Sequence, residues 1–248
     1  MPSLSRDSLP PAFRETLTER DIRKNSTMQS FDRISGQLDR LATQRESIDT
    51  ILDVGCNRGA FAAALGEHLD AETVYGIDTD PDCRESAQER GIEMFDVDVE
   101  SDSFPLDEDS VDLVISFGLV EHLTYYDNLF AETRRVLDTG WFWITTPNLG
   151  SWLNRFALLT GHQPRNVEVS QERGVGVLPI YRSDDFLNHV SAPTYKALID
   201  LLEFYEFEPV DSTALTPYQR SRLDAFLDRI FSLRTAWGRR VSVLSRQR

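Results

Sequence analysis

Phe31, Ile34, Leu38 and Leu41 recur at steps of three and four, which puts them on one face of a helix leading into residue 50. From there short apolar runs alternate with helical periods. Residues 51–54, 73–77, 92–97, 111–117 and 141–146 read as strands. A helix over 59–69 carries Phe61, Leu65 and Leu69 on one side, and another is marked by Leu129, Thr133, Val136 and Leu137. Asp80-Pro81 opens a further helix, the acid as cap and the proline in the first turn. Residues 147–190 break the rhythm. It returns with a helix over 193–204 capped by Ser191, a strand over 208–213, a helix over about 217–234 and a last strand over 240–245. Strand–helix alternation of this kind predicts an α/β domain, with right-handed crossovers and a mostly parallel sheet covered on both faces. The expected organisation is an N-terminal helical segment over 1–48 and one domain over 49–248, with an insertion at about 147–190.

Charge narrows the partners. Forty-one acids face 26 bases, only two of them lysines (Lys24 and Lys196), for a net charge of −15. Nucleic acid is an unfavourable partner for such a chain, because phosphate binding rests on Lys and Arg. An acidic, lysine-poor surface suits a protein kept soluble in very salty cytoplasm, as in a halophilic archaeon. An acidic protein from a GC-rich genome is the plainer alternative. No run of 18 apolar residues occurs, and MPSLSRDSLP lacks the layout of a signal peptide, so a cytoplasmic protein is the expectation. Two cysteines are too few for a disulfide framework, and His68, His122, His162 and His189 show no ligand spacing, so no metal is expected.

The chemistry concentrates in TILDVGCNRGAF, residues 50–61. Gly55 and Gly59 allow positive φ and close backbone approach at the end of the first strand, and Asn57 tolerates the left-handed region. Asp78 ends the second strand 23 residues after Gly55, near the spacing at which a carboxylate takes both hydroxyls of a ribose. A dinucleotide fingerprint fits poorly: Asn57 stands at the second glycine, and Asp53 puts negative charge where a pyrophosphate would approach. Asp53 suits an ammonium or a sulfonium instead.

ILDVGCNRG, with Asp53, Gly55 and Gly59 in place, resembles the first motif of the class I S-adenosylmethionine-dependent methyltransferases. The resemblance implies a Rossmann-like, seven-stranded sheet and S-adenosyl-L-methionine as cofactor. It also implies that the Gly55–Gly59 loop, Asn57 included, wraps the methionine part and that Asp78 of YGIDTD holds the ribose. FDVDVESDSFPLDEDSVDLVISF is similar to the third and fourth strands of the family, which assigns Asp98 to the adenine amine, Val99 to packing near the ring and Phe117 to the cofactor side. Asp96 competes with Asp98. GLVEHL, ETRRVL and ITTPN look like the branch of MetW-like and ubiquinone-type small-molecule enzymes. Two departures stand out: Asn57 at the middle glycine, and Thr139-Gly140-Trp141 where the family has a Pro-Gly-Gly turn before strand five.

Methyl transfer from a sulfonium needs alignment and dryness, and a base only when the acceptor must lose a proton. His122 of GLVEHL is the expected base, with a loop-ordering role as the alternative; Glu121 is expected to fix the loop. On the acceptor side, Asn148, Trp152 as a stacking face, Arg155 as an anion clamp and His189 are candidate contacts. Trp152 as a core anchor and Arg155 as a surface charge are the plain alternatives. The pattern TPNL, NR, G, QP resembles bacterial and archaeal relatives associated with surface-glycan assembly, including hexuronic-acid methyltransferases of archaeal N-glycosylation. It implies O-methylation of a sugar, for instance of a hexuronate to its methyl ester, on a small, nucleotide-linked or lipid-linked acceptor. A lipid-linked acceptor would bring the enzyme to the inner face of the membrane. A quinone or other metabolite as acceptor, and a non-catalytic binding domain, are the competing expectations.

Overall fold

The computed structural model describes residues 9–18, 27–43, 47–179, 187–216 and 222–248. Parts of the 1–48 segment, including Lys24, and residues 217–221 of the helix expected over 217–234 lie outside the described residues. Seven strands form one sheet: β1 Thr50–Val54, β2 Thr73–Ile77, β3 Glu93–Phe95, β4 Val111–Phe117, β5 Leu137–Pro147, β6 Phe207–Leu215 and β7 Arg240–Gln247. Their spatial order is β3-β2-β1-β4-β5-β7-β6. The first five strands pair in parallel, and β7 runs antiparallel between β5 and β6. The chain leaves β1 toward one edge and returns to β4 on the other side. The carboxyl ends of β1 and β4 therefore flank the switch point, where open α/β sheets take their ligands.

Helices cover both faces. On one, α5 (Asp127–Val136) and α7 (Tyr195–Phe204) bury Leu129, Phe130, Leu198 and Leu202 against Val114, Phe142 and Val243. On the other lie α1 (Pro11–Thr16), α2 (Phe31–Ala42) and α3 (Ala60–Leu69). Phe13, wholly buried, meets Phe61 edge-on at 5.4 Å, and Ile34 and Leu38 of α2 sit in the same core as Trp143. The α2 period thus buries the face it predicts, whereas α1 carried no period in the sequence. Gln37 pins this layer down: its Oε1 accepts the Trp143 indole N–H at 2.9 Å, so the buried ring keeps a polar partner.

Helix α4 (Pro81–Gln88) begins as its sequence predicts, with the Asp80 carboxylate accepting from the N–H groups of Asp82 and Cys83. The helix over 195–204 is capped differently from expectation. Thr194 Oγ accepts from the Ala197 N–H, while Ser191 hydrogen-bonds the Leu123 carbonyl at 2.7 Å and the Tyr126 hydroxyl at 2.7 Å. Strand five is longer than expected. Val111 pairs with Leu137 and Leu113 with Trp141, so residues 138–140 bulge out of register. Thr139 takes φ 46°, and a Cβ on Gly140 would collide with the Asp112 carbonyl oxygen. The sequence departure at Thr139-Gly140-Trp141 is therefore a bulge within a strand.

Candidate active site

The loop after β1 is shaped by its glycines and its neighbours. Gly55 has φ 82° and Gly59 φ 70°, and any Cβ on Gly59 would run into Ile92 and Ala87. Asn57 takes φ 50°, the left-handed conformation its side chain tolerates, and its Oδ1 accepts from the Arg58 N–H at 2.8 Å. The N–H groups of Gly55 and Cys56 both donate to the Ile77 carbonyl, tying the loop to the end of β2. Asp78, just past β2, accepts from Asn57 N–H through one carboxylate oxygen (2.8 Å) and from Asp80 N–H through the other (2.9 Å). Each oxygen keeps a second lone pair, so the carboxylate is oriented and still able to accept a vicinal diol.

Asp53 differs from Asp78 in burial. It is 6% exposed at the tip of β1, and that burial pushes its pKa up to about 7, with the Asp78 charge adding to the rise and the Cys56 thiol opposing it. Among the described residues no cation pairs with this buried carboxyl, which has a thiol and a second acid beside it, and a ligand bearing an ammonium or sulfonium would supply one. Burial and Asp53 together push the Cys56 thiol well up, so that cysteine stays a neutral donor. Along the sheet edge, Asp98 is exposed and holds its own turn: its carboxylate accepts from Glu100 N–H and Ser101 hydroxyl, one bond on each oxygen. Asp96 instead pairs with Arg84 at 2.9 Å. Val99 is buried with Val97 and Phe104. Phe117, half-buried at the end of β4, packs edge-on against Phe61 (4.8 Å) and Trp143 (5.0 Å).

GLVEHL follows β4 and forms a short turn whose fixing group is Glu121. That carboxylate is 2% exposed and takes Nη1 of Arg240 at 3.0 Å, while its backbone carbonyl accepts from Val190 N–H. His122 faces solvent, and its Nδ1 lies 2.8 Å from the Asn188 carbonyl. A carbonyl only accepts, so Nδ1 donates to it, and in the neutral ring Nε2 then carries the lone pair that a general base needs. His189 stands beside it, ring centroids 5.1 Å apart. Burial holds His189 down to about pKa 4 against the pull of Glu121. A neutral neighbour adds no repulsion when His122 takes up a proton. The ligand atoms of Glu121, His122 and His189 lie within 4.8 Å of one another, although Arg240 already supplies a cation to Glu121. The sequence spacing of the histidines gave no sign of this meeting; it is made where Val190 N–H donates to the Glu121 carbonyl just past β4, in a loop that Glu168 holds by accepting from Leu187 and His189 N–H.

Two acceptor-side expectations need correction. Trp152, at the start of α6 (Trp152–Leu159), is 8% exposed; its indole donates to Asp228 at 2.8 Å and its ring stacks on Phe231. It anchors the insertion and offers no open face. Asn148 is wholly buried. Its amide donates to the carbonyls of Ala236 and Gly238, and its Oδ1 accepts from Gly150 and Tyr195 N–H, so it joins the insertion to β7 with no group left for an acceptor. Arg155 is exposed, donates Nε to the Gly150 carbonyl at 2.7 Å and lies 4.8 Å over the Trp237 ring. The residues absent from the sequence reading are Asp228, Arg239 and Arg240. Asp228 is wholly buried and bonds Arg239 at 2.7 Å as well as Trp152. An acid in an amphipathic helix carries no mark of such a partner.

A β3-β2-β1-β4-β5-β7-β6 sheet, with acids at the tips of β1 and β2 around a glycine loop, is the layout of the class I methyltransferase fold. Comparison with known proteins agrees. Residues 52–144 match a family described as a methyltransferase domain. Over 96 residues the chain is 33% identical to a malonyl-[acyl-carrier protein] O-methyltransferase of Geobacter sulfurreducens, which is 37% of this chain and 36% of that protein. The chain thus spans about a third of the length of that curated relative. Among solved structures, an S-adenosylmethionine-dependent methyltransferase from Mesorhizobium loti is 17% identical, with a TM-score of 0.57 over 86% of this chain and 97% of that one. One from Archaeoglobus fulgidus is also 17% identical, with a TM-score of 0.54 over 86% and 93%. Residues 52–144 thus match a methyltransferase domain by sequence, and the fold around them is that of S-adenosylmethionine-dependent methyltransferases, the class whose cofactor is S-adenosylmethionine.

Proposed function

We infer that this chain transfers a methyl group from S-adenosylmethionine to an oxygen of a small-molecule acceptor, a hydroxyl of a sugar borne on a lipid or nucleotide. Bound at this site, the cofactor supplies an activated methyl on a cationic sulfur. Asp53 and the loop from Gly55 through Asn57 to Gly59 would hold the amino acid part, Asp78 the ribose hydroxyls, and Asp98 with Val99 the adenine, Phe117 backing the β4 side. The single observation that carries acceptor activation is His122, exposed beside the switch point with Nδ1–H fixed by the Asn188 carbonyl and Nε2 left basic. That nitrogen would take the acceptor's proton as the oxygen takes the methyl from the sulfonium, which leaves as the neutral thioether, and neutral His189 sets no opposing charge beside the resulting imidazolium. A base of this kind suits a hydroxyl better than a hexuronate carboxylate, which has no proton to lose at neutral pH. The oxygen as acceptor atom agrees with the O-methyltransferase named above.

The lysine-poor acidic surface would suit a halophilic archaeon, and its glycans are one source of such a sugar. A quinone is the second reading. It is favoured by exposed Phe156, Leu158 and Leu159 on the insertion, apolar surface that a sugar alone does not call for. Incubating the protein with methyl-labelled S-adenosylmethionine and separated lipid and aqueous cell extracts decides between them. Label on a sugar-bearing product is expected, and label on a quinone selects the second reading. A protein that binds the cofactor yet labels no fraction is a binding domain, and the enzymatic reading falls.

A further inference from the structure

Helix α8 (Arg222–Phe231) packs inward through Leu227 and Phe231, yet it carries a second apolar stripe that faces out. Leu223, Phe226 and Ile230, with Leu233 one turn on, recur at steps of three and four, and all four are exposed, Leu233 at 84%. Its two acids are the buried residues, Asp228 bonded to Arg239 and Trp152, and Asp224 lying 3.7 Å from Arg239. What flanks the outward stripe is Arg222, Arg229 and Arg234, all exposed. Helix α6 packs on α8 through Trp152 and Phe231 and carries exposed Phe156 and Leu159 of its own. Residues 148–167 contain no acid at all, and residues 222–240 expose none, in a chain with 41 acids against 26 bases.

Exposed apolar side chains bordered by arginines, with acids withdrawn, are the composition of a surface that lies in a lipid interface and faces anionic headgroups. An isologous contact between two copies would set arginine against arginine, so charge disfavours a second copy as the cover. Topology adds position. Helix α6 follows the carboxyl end of β5, and α8 feeds the start of β7 beside Pro147, so both stand at the sheet end that carries Gly55 and His122. We propose that the outward faces of α6 and α8 dock this protein on an anionic phospholipid surface. The inference rests on exposure and charge; it deepens the lipid-borne acceptor reading without depending on it.

Flotation of the purified full chain with phosphatidylglycerol vesicles, against phosphatidylcholine vesicles, at low salt tests the proposal. Binding is expected to be strong to the first and weak to the second. Combining Arg222→Gln, Arg229→Gln and Arg234→Gln lowers partitioning by roughly 100-fold, about fivefold for each charge removed. Phe226→Gln with Leu233→Gln lowers it on both vesicle types. Melting curves and adenosylhomocysteine titration confirm that the variants are folded, and they test the methyltransferase site independently of the membrane. Absence of the wild-type chain from floated phosphatidylglycerol vesicles overturns the proposal. So does a dimer by light scattering that Leu233→Gln dissolves, or capture by an acidic protein with no vesicle binding.

Discussion

The two halves of the sheet end use the same residue types to opposite purposes. Around Gly55 the polar contacts are short in sequence: Asn57 to Asp78, Asp80 to Asp82, Asp98 to Ser101. They orient carboxylates whose oxygens keep spare lone pairs. On the acceptor side the contacts are long: Glu121 to Arg240, Trp152 to Asp228, Asn148 to Gly238. There the asparagine, the tryptophan and the acids hold segments together and leave little for a ligand. An aspartate or a tryptophan thus says little by its type. Whether the fold already satisfies it decides whether it serves a ligand.

The sharpest way to separate the halves is His122→Ala. It should lower kcat by about 10²–10⁴-fold, the usual contribution of a general base, while adenosylhomocysteine affinity stays unchanged by calorimetry. A parallel loss of affinity would merge the two regions. Asp228→Ala should cost about 3 kcal/mol in urea unfolding, because it takes from buried Arg239 its 2.7 Å carboxylate, leaving Asp224 at 3.7 Å, and strands the Trp152 N–H in the interior. Folded molecules of that variant should still bind the cofactor product with wild-type affinity.

Asp53→Asn tests the other half and moves stability the opposite way. Between about pH 4 and 7 the folded chain holds a proton on Asp53 that the unfolded chain has released. Stability of the unliganded protein from this group therefore falls as pH rises through that window, and the variant should be more stable at pH 8 by about 2 kcal/mol while binding the cofactor worse. A less stable variant would mean the buried carboxylate has a cation partner already. The smallest effect is expected of Arg155→Ala, whose exposed side chain rests on Gly150 and Trp237: a change in melting stability within about 1 kcal/mol. If instead KM for the labelled acceptor rises tenfold, Arg155 belongs with the ligand-facing groups.

The contrast also explains what the sequence made legible. Strands over 73–77 and 111–117 coincide with the observed bounds because turn residues, Asp78 and DEDS, punctuate them. The glycine loop was readable because positive φ and a strand-end acid are local properties. The start of β5 was missed because a bulge at Thr139-Gly140 interrupts the pattern without ending the strand. The cap at Thr194 was misplaced because Ser191, three residues earlier, has the same chemistry and is held elsewhere by Leu123 and Tyr126. The meeting of His122 with His189 crosses 67 residues through a non-repeating segment, and no periodicity reports it. The inward turn of Asp224 and Asp228 likewise depends on Arg239, a residue of the approach to β7.

The account depends most on Asp53 and Asp78 forming a seat for a cationic nucleoside. Calorimetric titration of the chain with adenosylhomocysteine, repeated across pH, tests that directly. It should give one site per chain, with affinity that falls by up to tenfold for each pH unit below about 7 as Asp53 takes up its proton. No binding at any pH, or an affinity flat across that range in both the wild type and Asp53→Asn, would contradict it.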